Sequence, residues 1–552
     1  MRRFISILVG SALLCTSAMA QNGSTTGLIF DRDILSAPSL YSLSQRDYVG
    51  TARSMAMGGA FTSLGADLAS FGINPAGFGM YQRNEVSVTL GLGIRNSKNS
   101  GVLNADRGNN STTQFSVNNI GASFRIFEST GNLVAVNLAF GYNKVADYNY
   151  DFNYHGTNSG FSAADAFADI ANREGLLLNA DNHICDAYGN ADYDMNAYFW
   201  STALAYKGGL INRGSNGWYP DEIGSGASID QFTRMKSRGS AGEFSIAVGF
   251  NINNIVYLGA SLDIQSISRR QTIYYGENIG YAEGAVPDGT TLPYRLTEFT
   301  LSQQMRTSGS GVGAKFGIVI RPIKQLRIGF ALHTPTYYSL NYSYIGELQS
   351  EAISAGSNPG NYNIVDGKVY EDRITPRLTD SGQYGWGFAT PTRLLAGISY
   401  TAGKVAIFSI DYQYDAYRSM RVKDAPFDDF SFINSDFRYG FKGQHTIRAG
   451  IEAKPTPAVA IRLGGGYLTR VTASADAIFT EPILNGGWYC SAGLGFRVSR
   501  ITSIDVAYQF RHNKYSDYDT FYSELDGYVN ASPTYGLGIN NHNIAVTFGF
   551  KF

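Results

Sequence analysis

The chain has 552 residues, a net charge of −1 and only 16% charged residues, where soluble proteins average roughly 25%. Near-neutrality removes the electrostatic footprint of a nucleic-acid binder, and no apolar run after residue 20 approaches the roughly 18 residues of a spanning helix. Abundant Gly (63) and Tyr (37) suit many short strands, and one membrane class hides its apolar residues at every second strand position, the β-barrel.

The N-terminus reads as a secretory signal over 1–20. "MRR" is the basic region, "FISILVGSALLC" the apolar one, and Ala18-Met19-Ala20 an A-x-A cleavage site. Cys15 raises a lipoprotein alternative, against which stands the bulky Leu14 before it. Cys185 and Cys490 are then too few and too distant for a disulfide framework or a metal set, and read as packing residues.

Residues 21–84 do not alternate. The stretch "GTARSMAMGGAFTSLGADLASFGINPAGFGMY" is rich in Gly, Ala and Ser, with a single acid, Asp67, and a single base, Arg53. Exposed linkers are more polar than this. The composition predicts a plug, because small residues let irregular backbone pack closely and Pro75 sets one bend without needing a donor. A periplasmic tether is the alternative.

Alternation begins at 85–95, where Val86, Val88, Leu90, Leu92 and Ile94 share one face, and ends with Ile544, Val546, Phe548, Phe550 and Phe552. Similar segments lie near 113–126, 132–143, 241–251, 255–267, 297–321, 325–345, 388–401, 404–416, 443–454, 458–470, 486–499 and 501–512. The fold class is therefore all-β, a transmembrane antiparallel barrel of about fourteen strands over 85–552. Segment 113–126 changes phase, with Phe115 and Val117 at odd positions but Ile120, Ala122, Phe124 and Ile126 at even ones. A bulge near Asn118-Asn119 would restore the register.

The connections carry the same message. Short turns ("ESTGN", "INN", "PIKQ", "AG", "PTP", "SR") alternate with long loops, as periplasmic turns and external loops do in outer-membrane barrels. By phase, Ile504, Val506, Tyr508 and Phe510 meet lipid, while Ser503, Asp505, Gln509 and Arg511 face the lumen with Lys315, Arg327, Asp411 and Arg497. Charges of both signs there predict a packed, paired interior. The insert at about 144–240 contains "SAADAFADIANREGLLL", a helix with Ala163, Phe167, Ile170 and Leu177 near one face, expected to cap the barrel mouth, with simple external decoration as the alternative.

No enzyme constellation is present. Six histidines are scattered without an H-E-x-x-H pair, no G-x-S-x-G elbow occurs, and His512 with Asp517 lacks a nucleophile pattern. No catalytic residue, metal site or cofactor is expected.

The stretch "GTARSMAMGGAFTSLGADLASFGINPAGFGMY" resembles the N-terminal hatch of FadL-type outer-membrane transporters of long-chain fatty acids and other hydrophobic compounds. The matching residues are Gly58, Gly59, Ala60, Asp67, Asn74, Pro75 and Ala76, the last three an Asn-Pro-Ala motif just before the first strand. "GSGVGAKFGIVIRPIKQLRIGFALHTP", "TPTRLLAGISY" and the terminal aromatic Phe552 are similar too, so that the resemblance covers most of the chain from about residue 48. It implies a gated passage for a hydrophobic small molecule, with the hatch residues gating, outer-membrane lipid and barrel-insertion machinery as partners, and Phe552 as the barrel's C-terminal signal. Some family members release ligand through a gap at a kink in the third strand, whereas here the phase break falls in the second. The competing reading is a structural or binding barrel, an adhesin or a receptor acting through external loops, with His155 and His183 as the external candidates for a haem-type ligand.

Overall fold

The computed structural model describes residues 27–28, 36–47, 50–101, 109–159, 162–185, 200–220, 228–280, 294–354, 370–374, 386–403, 405–423, 431–474, 481–525, 528–531 and 534–552. The signal segment 1–20 lies outside the described residues.

Fourteen antiparallel strands close into one barrel. They are β1 (Glu85–Gly101), β2 (Asn109–Glu128), β3 (Leu133–Asp147, resuming at Tyr150–Ser159), β4 (Ser228–Ile252), β5 (Val256–Gly280), β6 (Tyr294–Ile323) and β7 (Leu326–His333, resuming at Tyr337–Ser354). The second half comprises β8 (Trp386–Ala389 and Arg393–Ala402), β9 (Ala406–Asp415 and Arg421–Lys423), β10 (Gln444–Thr456), β11 (Val459–Leu468), β12 (Leu484–Arg497), β13 (Thr502–Tyr515) and β14 (Tyr535–Lys551). β14 pairs with β1, from Glu85↔Lys551 to Gly101↔Tyr535, so no edge is left open.

Alternation sorts the two faces. Phe244, Ile264, Val312, Phe316, Ile410 and Leu463 are exposed on the outside, while Gln265, Asp411, Arg448 and Gln509 on neighbouring positions are buried. In water such an outer surface would be an aggregation hazard; around a closed barrel it is the apolar belt of an outer-membrane protein. Short turns close one end, and at Asn253 and Asn254 both residues take positive φ (54° and 56°), as a two-residue hairpin turn demands.

The bulge expected in the second strand is present. The β1–β2 register slips between Thr89, opposite Asn119, and Leu90, opposite Val117, leaving Asn118 unpaired. β3 is broken as well, at Tyr148–Asn149, beyond the 132–143 stretch that alternates cleanly. The β2–β3 ladder ends at Asn119↔Asn143. Past that point β3 turns toward the lumen, where Arg95 donates to the carbonyls of Asp147 (2.9 Å) and Asn149 (3.0 Å).

Strands β3 to β6 run well past the alternating segments. Residues 144–159 and 228–240, expected within the insert, are strand extensions that pair with each other from Ser228↔Ser159 to Ser237↔Tyr150. Their polar outward residues mask the apolar alternation that marks a strand in the belt. Between them, helix α3 (Ala163–Arg173) buries Ala163, Phe167 and Ile170 as expected and is closed by a Ser162–Asp165 capping box. Leu177 falls beyond the helix and is exposed, and its neighbour Leu176 is buried instead.

Candidate functional site

Residues 37–47 and 50–81 lie on the inward side of the wall. Their partners are inward-phase residues from around the ring: Ala52 N donates to Thr547 Oγ1 on β14 (2.7 Å), Thr62 N to Asp411 Oδ2 on β9 (2.7 Å), and Asn137 Nδ2 on β3 to Phe78 O (2.8 Å). Tyr489 and Ser491 on β12 donate to the carbonyls of Gly58 (2.8 Å) and Ala56 (3.0 Å). The segment thus touches several walls of the barrel on their buried faces.

Short capped turns build the segment. Helix α1 (Ala37–Ser44) is capped by Ser36, whose Oγ accepts from Ser39 N. Helix α2 (Ala52–Ala56) is capped by Thr51 and ends in Gly58 and Gly59 at φ of 64° and 71°, where side chains are strained. Asp67 Oδ1 accepts from Thr51 Oγ1 (2.7 Å) and Ala69 N (2.9 Å), joining α2 to the 3₁₀ turn Leu68–Phe71. Asn74 caps the second 3₁₀ turn, Pro75–Met80, with Pro75 at its first position. Asn74 Oδ1 accepts from Ala76 N (3.0 Å), and its Nδ2 donates to Thr62 O (2.7 Å) and to Phe330 O on β7 (3.3 Å). Gly58, Gly59, Asp67, Asn74, Pro75 and Ala76 are thus all structural joints of one buried unit; Phe552 stands apart at the turn end, its backbone exchanging hydrogen bonds with Asn84.

Wall glycines make room for this unit. A Cβ at Gly249 would stand 2.3 Å from Gly79 N, one at Gly259 2.2 Å from Pro75 C, one at Gly329 2.3 Å from Thr62 O, and one at Gly464 2.2 Å from Met57 C. Gly249 faces Gly259 and Gly259 faces Gly317, so the seat runs continuously across β4, β5 and β6. Backbone there packs on backbone.

Many inward charges are paired, as their mixed signs predict. Arg53 Nε meets Glu452 Oε2 (2.9 Å), Glu452 meets Arg462 (2.7 Å), and Arg462 meets Asp505 (2.5 Å). Lys315 lies 2.5 Å from Glu243 and 3.1 Å from Asp263, and Arg46 of the inner segment also reaches Glu243 (2.5 Å). Arg327 is only half-buried, and Arg497, though on the lumen phase, is exposed at the turn end of β12.

Two small chambers remain beside α1. One, about 70 Å³, is lined by Arg46, Glu243, His333, Arg393, Ser54 and Gly59. The other, about 60 Å³, is lined by Tyr41, Tyr148, Phe152, Tyr515 and Leu537 together with the charged Arg95, Arg269, Asp47 and Asp147. Both fall far below the few hundred Å³ of a small-molecule site. A third gap, about 30 Å³, sits at the broken β3, among Gly91, Gln114, Asn118, Asn149 and Asn543.

Arg269 was not evident from sequence. It is buried on β5 and bonds only two serine hydroxyls of α1, Ser39 (2.6 Å) and Ser42 (2.5 Å). It makes no ion pair among the described residues, and its Nε has no partner. The only available hint was its lumen phase beside the outward Arg270. Of the external histidines, His155 bonds Asp230 (2.9 Å), while His512, on β13, bonds Asn540 (2.8 Å) rather than Asp517. No group of three potential metal ligands occurs among the described residues.

No family model and no curated protein matches the chain. Among solved structures it is similar to the toluene transporter TodX of Pseudomonas putida, at 13% identity over 92% of this chain and 100% of that one, with a TM-score of 0.48. The toluene transporter TbuX of Ralstonia pickettii is 13% identical over 92% and 99%, TM-score 0.46. A FadL homologue of Pseudomonas aeruginosa is 11% identical over 91% and 99%, TM-score 0.47.

Proposed function

We propose that the protein is a gated passive transporter that admits hydrophobic compounds across the outer membrane, with residues 37–81 as its hatch, and that its preferred cargo is a long-chain fatty acid or a similar amphiphile. One observation carries this reading: a buried arginine, Arg269, that makes no direct ion pair among the described residues and borders a chamber in which Tyr41, Tyr148, Phe152, Tyr515 and Leu537 line one part and Arg95, Asp47 and Asp147 another. The Arg269 guanidinium is within electrostatic reach of buried Glu481 but is bonded directly only by the two serine hydroxyls, which leaves donors for a carboxylate head group, while the aromatic and aliphatic part of the lining suits a hydrocarbon tail. A structural barrel or adhesin needs neither a removable plug nor such a chamber.

Binding would displace Arg269 from Ser39 and Ser42 and so loosen α1, coupling cargo to the hatch. The broken β3, flanked by the third gap, is the sideways exit this reading favours. Uptake in cells that depend on this barrel tests it. Arg269→Met lowers uptake of a labelled long-chain carboxylate by about tenfold, the scale of one lost charged hydrogen bond, and leaves a neutral hydrocarbon of equal length unaffected. Equal loss of both compounds would remove Arg269 as the carboxylate reader, and wild-type uptake no greater than that of a barrel-less strain would remove the transport reading.

A further inference from the structure

The outer wall carries a second feature, independent of the lumen. On β4, β5 and β6, Arg238 faces Arg270 and Arg270 faces Arg306 across two consecutive ladders. All three lie on the outward phase shared with Phe244, Ile264 and Val312, and Arg270 and Arg306 are exposed. Like charges directly opposite on one sheet face repel, and proteins usually separate them or place a carboxylate between them. Here no carboxylate intervenes: none of the three makes an ion pair among the described residues, and Arg238 donates only to the neutral carbonyls of Tyr150 (3.0 Å) and Ser237 (2.8 Å). One row further out stands Lys236, opposite Thr272, and one row beyond that Arg234, which pairs with Asp151 (3.1 Å).

Height completes the pattern. Phe244, Ile264 and Val312 form one transverse row at the outer limit of the apolar belt. The next two rows hold Gly242, Ser266 and Ser310, then Ser240, Ser268 and Ser308, and the arginines come next. Six residues of strand at a tilt near 40° rise roughly 15 Å, and arginine side chains reach back toward the membrane from that level. The wall therefore presents, in order, hydrocarbon contacts, a band of hydroxyls and a row of unneutralised guanidinium groups.

We infer that Arg238, Arg270 and Arg306 form a binding site for the phosphate head groups of a glycolipid in the outer leaflet, with its acyl chains on the Phe244–Ile264–Val312 row. Guanidinium groups suit phosphate because they present paired N–H donors that match two of its oxygens, and the serines beneath them can donate to sugar or phosphate oxygens. A bound phosphate also supplies the negative charge that the aligned arginines lack.

The test uses the full barrel in detergent micelles, titrated with phosphorylated lipid A and with the same lipid after removal of its phosphates. Wild type binds the phosphorylated form roughly 10–30-fold more tightly, native mass spectrometry shows it retained, and Arg270→Gln/Arg306→Gln abolishes the preference. Equal binding of the two lipids by wild type overturns the inference, as does an undiminished preference in the double variant. Should the double variant fail to assemble, the wild-type comparison alone decides.

Discussion

Asn74 and Gly317 are fitted to each other: a Cβ at Gly317 would stand 1.8 Å from Asn74 Oδ1. The residue that caps the Pro75–Met80 turn therefore rests on a wall position that admits no side chain. Gly317→Ala is expected to push the turn off its seat at a cost of about 1–3 kcal/mol, as in other overpacked sites. The midpoint of guanidinium unfolding reads this, and leakage of small dyes through the barrel should rise with it; an unchanged midpoint would show that Asn74 moves aside freely.

Glu452 joins Arg53 of the inner segment to Arg462 of the wall and is inaccessible to solvent. Glu452→Gln leaves Arg53 without its nearest carboxylate, and breaking a buried pair costs about 3–5 kcal/mol. Arg53→Met combined with Glu452→Met should cost less than the sum of the single changes, by about 1–3 kcal/mol. Additive costs in that cycle would show that the pair does not anchor the hatch.

The hatch must move if it gates. Ala52→Cys with Thr547→Cys places thiols on either side of the 2.7 Å contact between Ala52 N and Thr547 Oγ1. Oxidation should stop uptake and reductant should restore it, measured on the same cells with a labelled fatty acid. Unimpaired uptake in the oxidised protein would limit any movement to the part of the hatch away from α2.

Helix α3 should respond to pH. Burial, then the neighbouring Asp165, raises the Asp169 carboxyl from 3.8 to about 6. The folded cap thus holds a proton that the unfolded segment does not. The stability this adds is full below about 3.8 and is lost as pH rises through about 6. Amides of α3, corrected for intrinsic rates, should exchange more slowly at pH 5 than at pH 8, and Asp169→Asn should flatten the difference.

Much of this architecture is legible in the sequence, because the belt enforces period-two alternation with few exceptions. Even the unpaired Asn118 shows itself as a phase change between Val117 and Ile120. The extensions 144–159 and 228–240 are not legible, since above the belt both faces of a strand are polar and the period disappears. Asn74 and Asp67 announce themselves as caps by residue type. Arg269 does not, because what distinguishes it is the absence of a directly bonded carboxylate, and pairing across a barrel is settled by strands hundreds of residues apart. Leu177 was misplaced for a local reason: α3 stops at Arg173, where Glu174 and Gly175 turn the chain and bring Leu176 inward.

The contact between Ala52 and Thr547 joins residues 495 positions apart in the chain, and the same threonine hydroxyl lies 2.8 Å from Thr89 on the opposite side of the β1–β14 seam. The first part of the barrel to be synthesised is therefore clasped by the last strand to arrive. A cylinder zipped shut while empty would have to admit this chain segment through one end before it could reach the glycine-lined ledge. The simplest order of assembly that seats this contact gathers the N-terminal residues inside a still-open sheet, with the final hairpin closing around them like a hoop around staves.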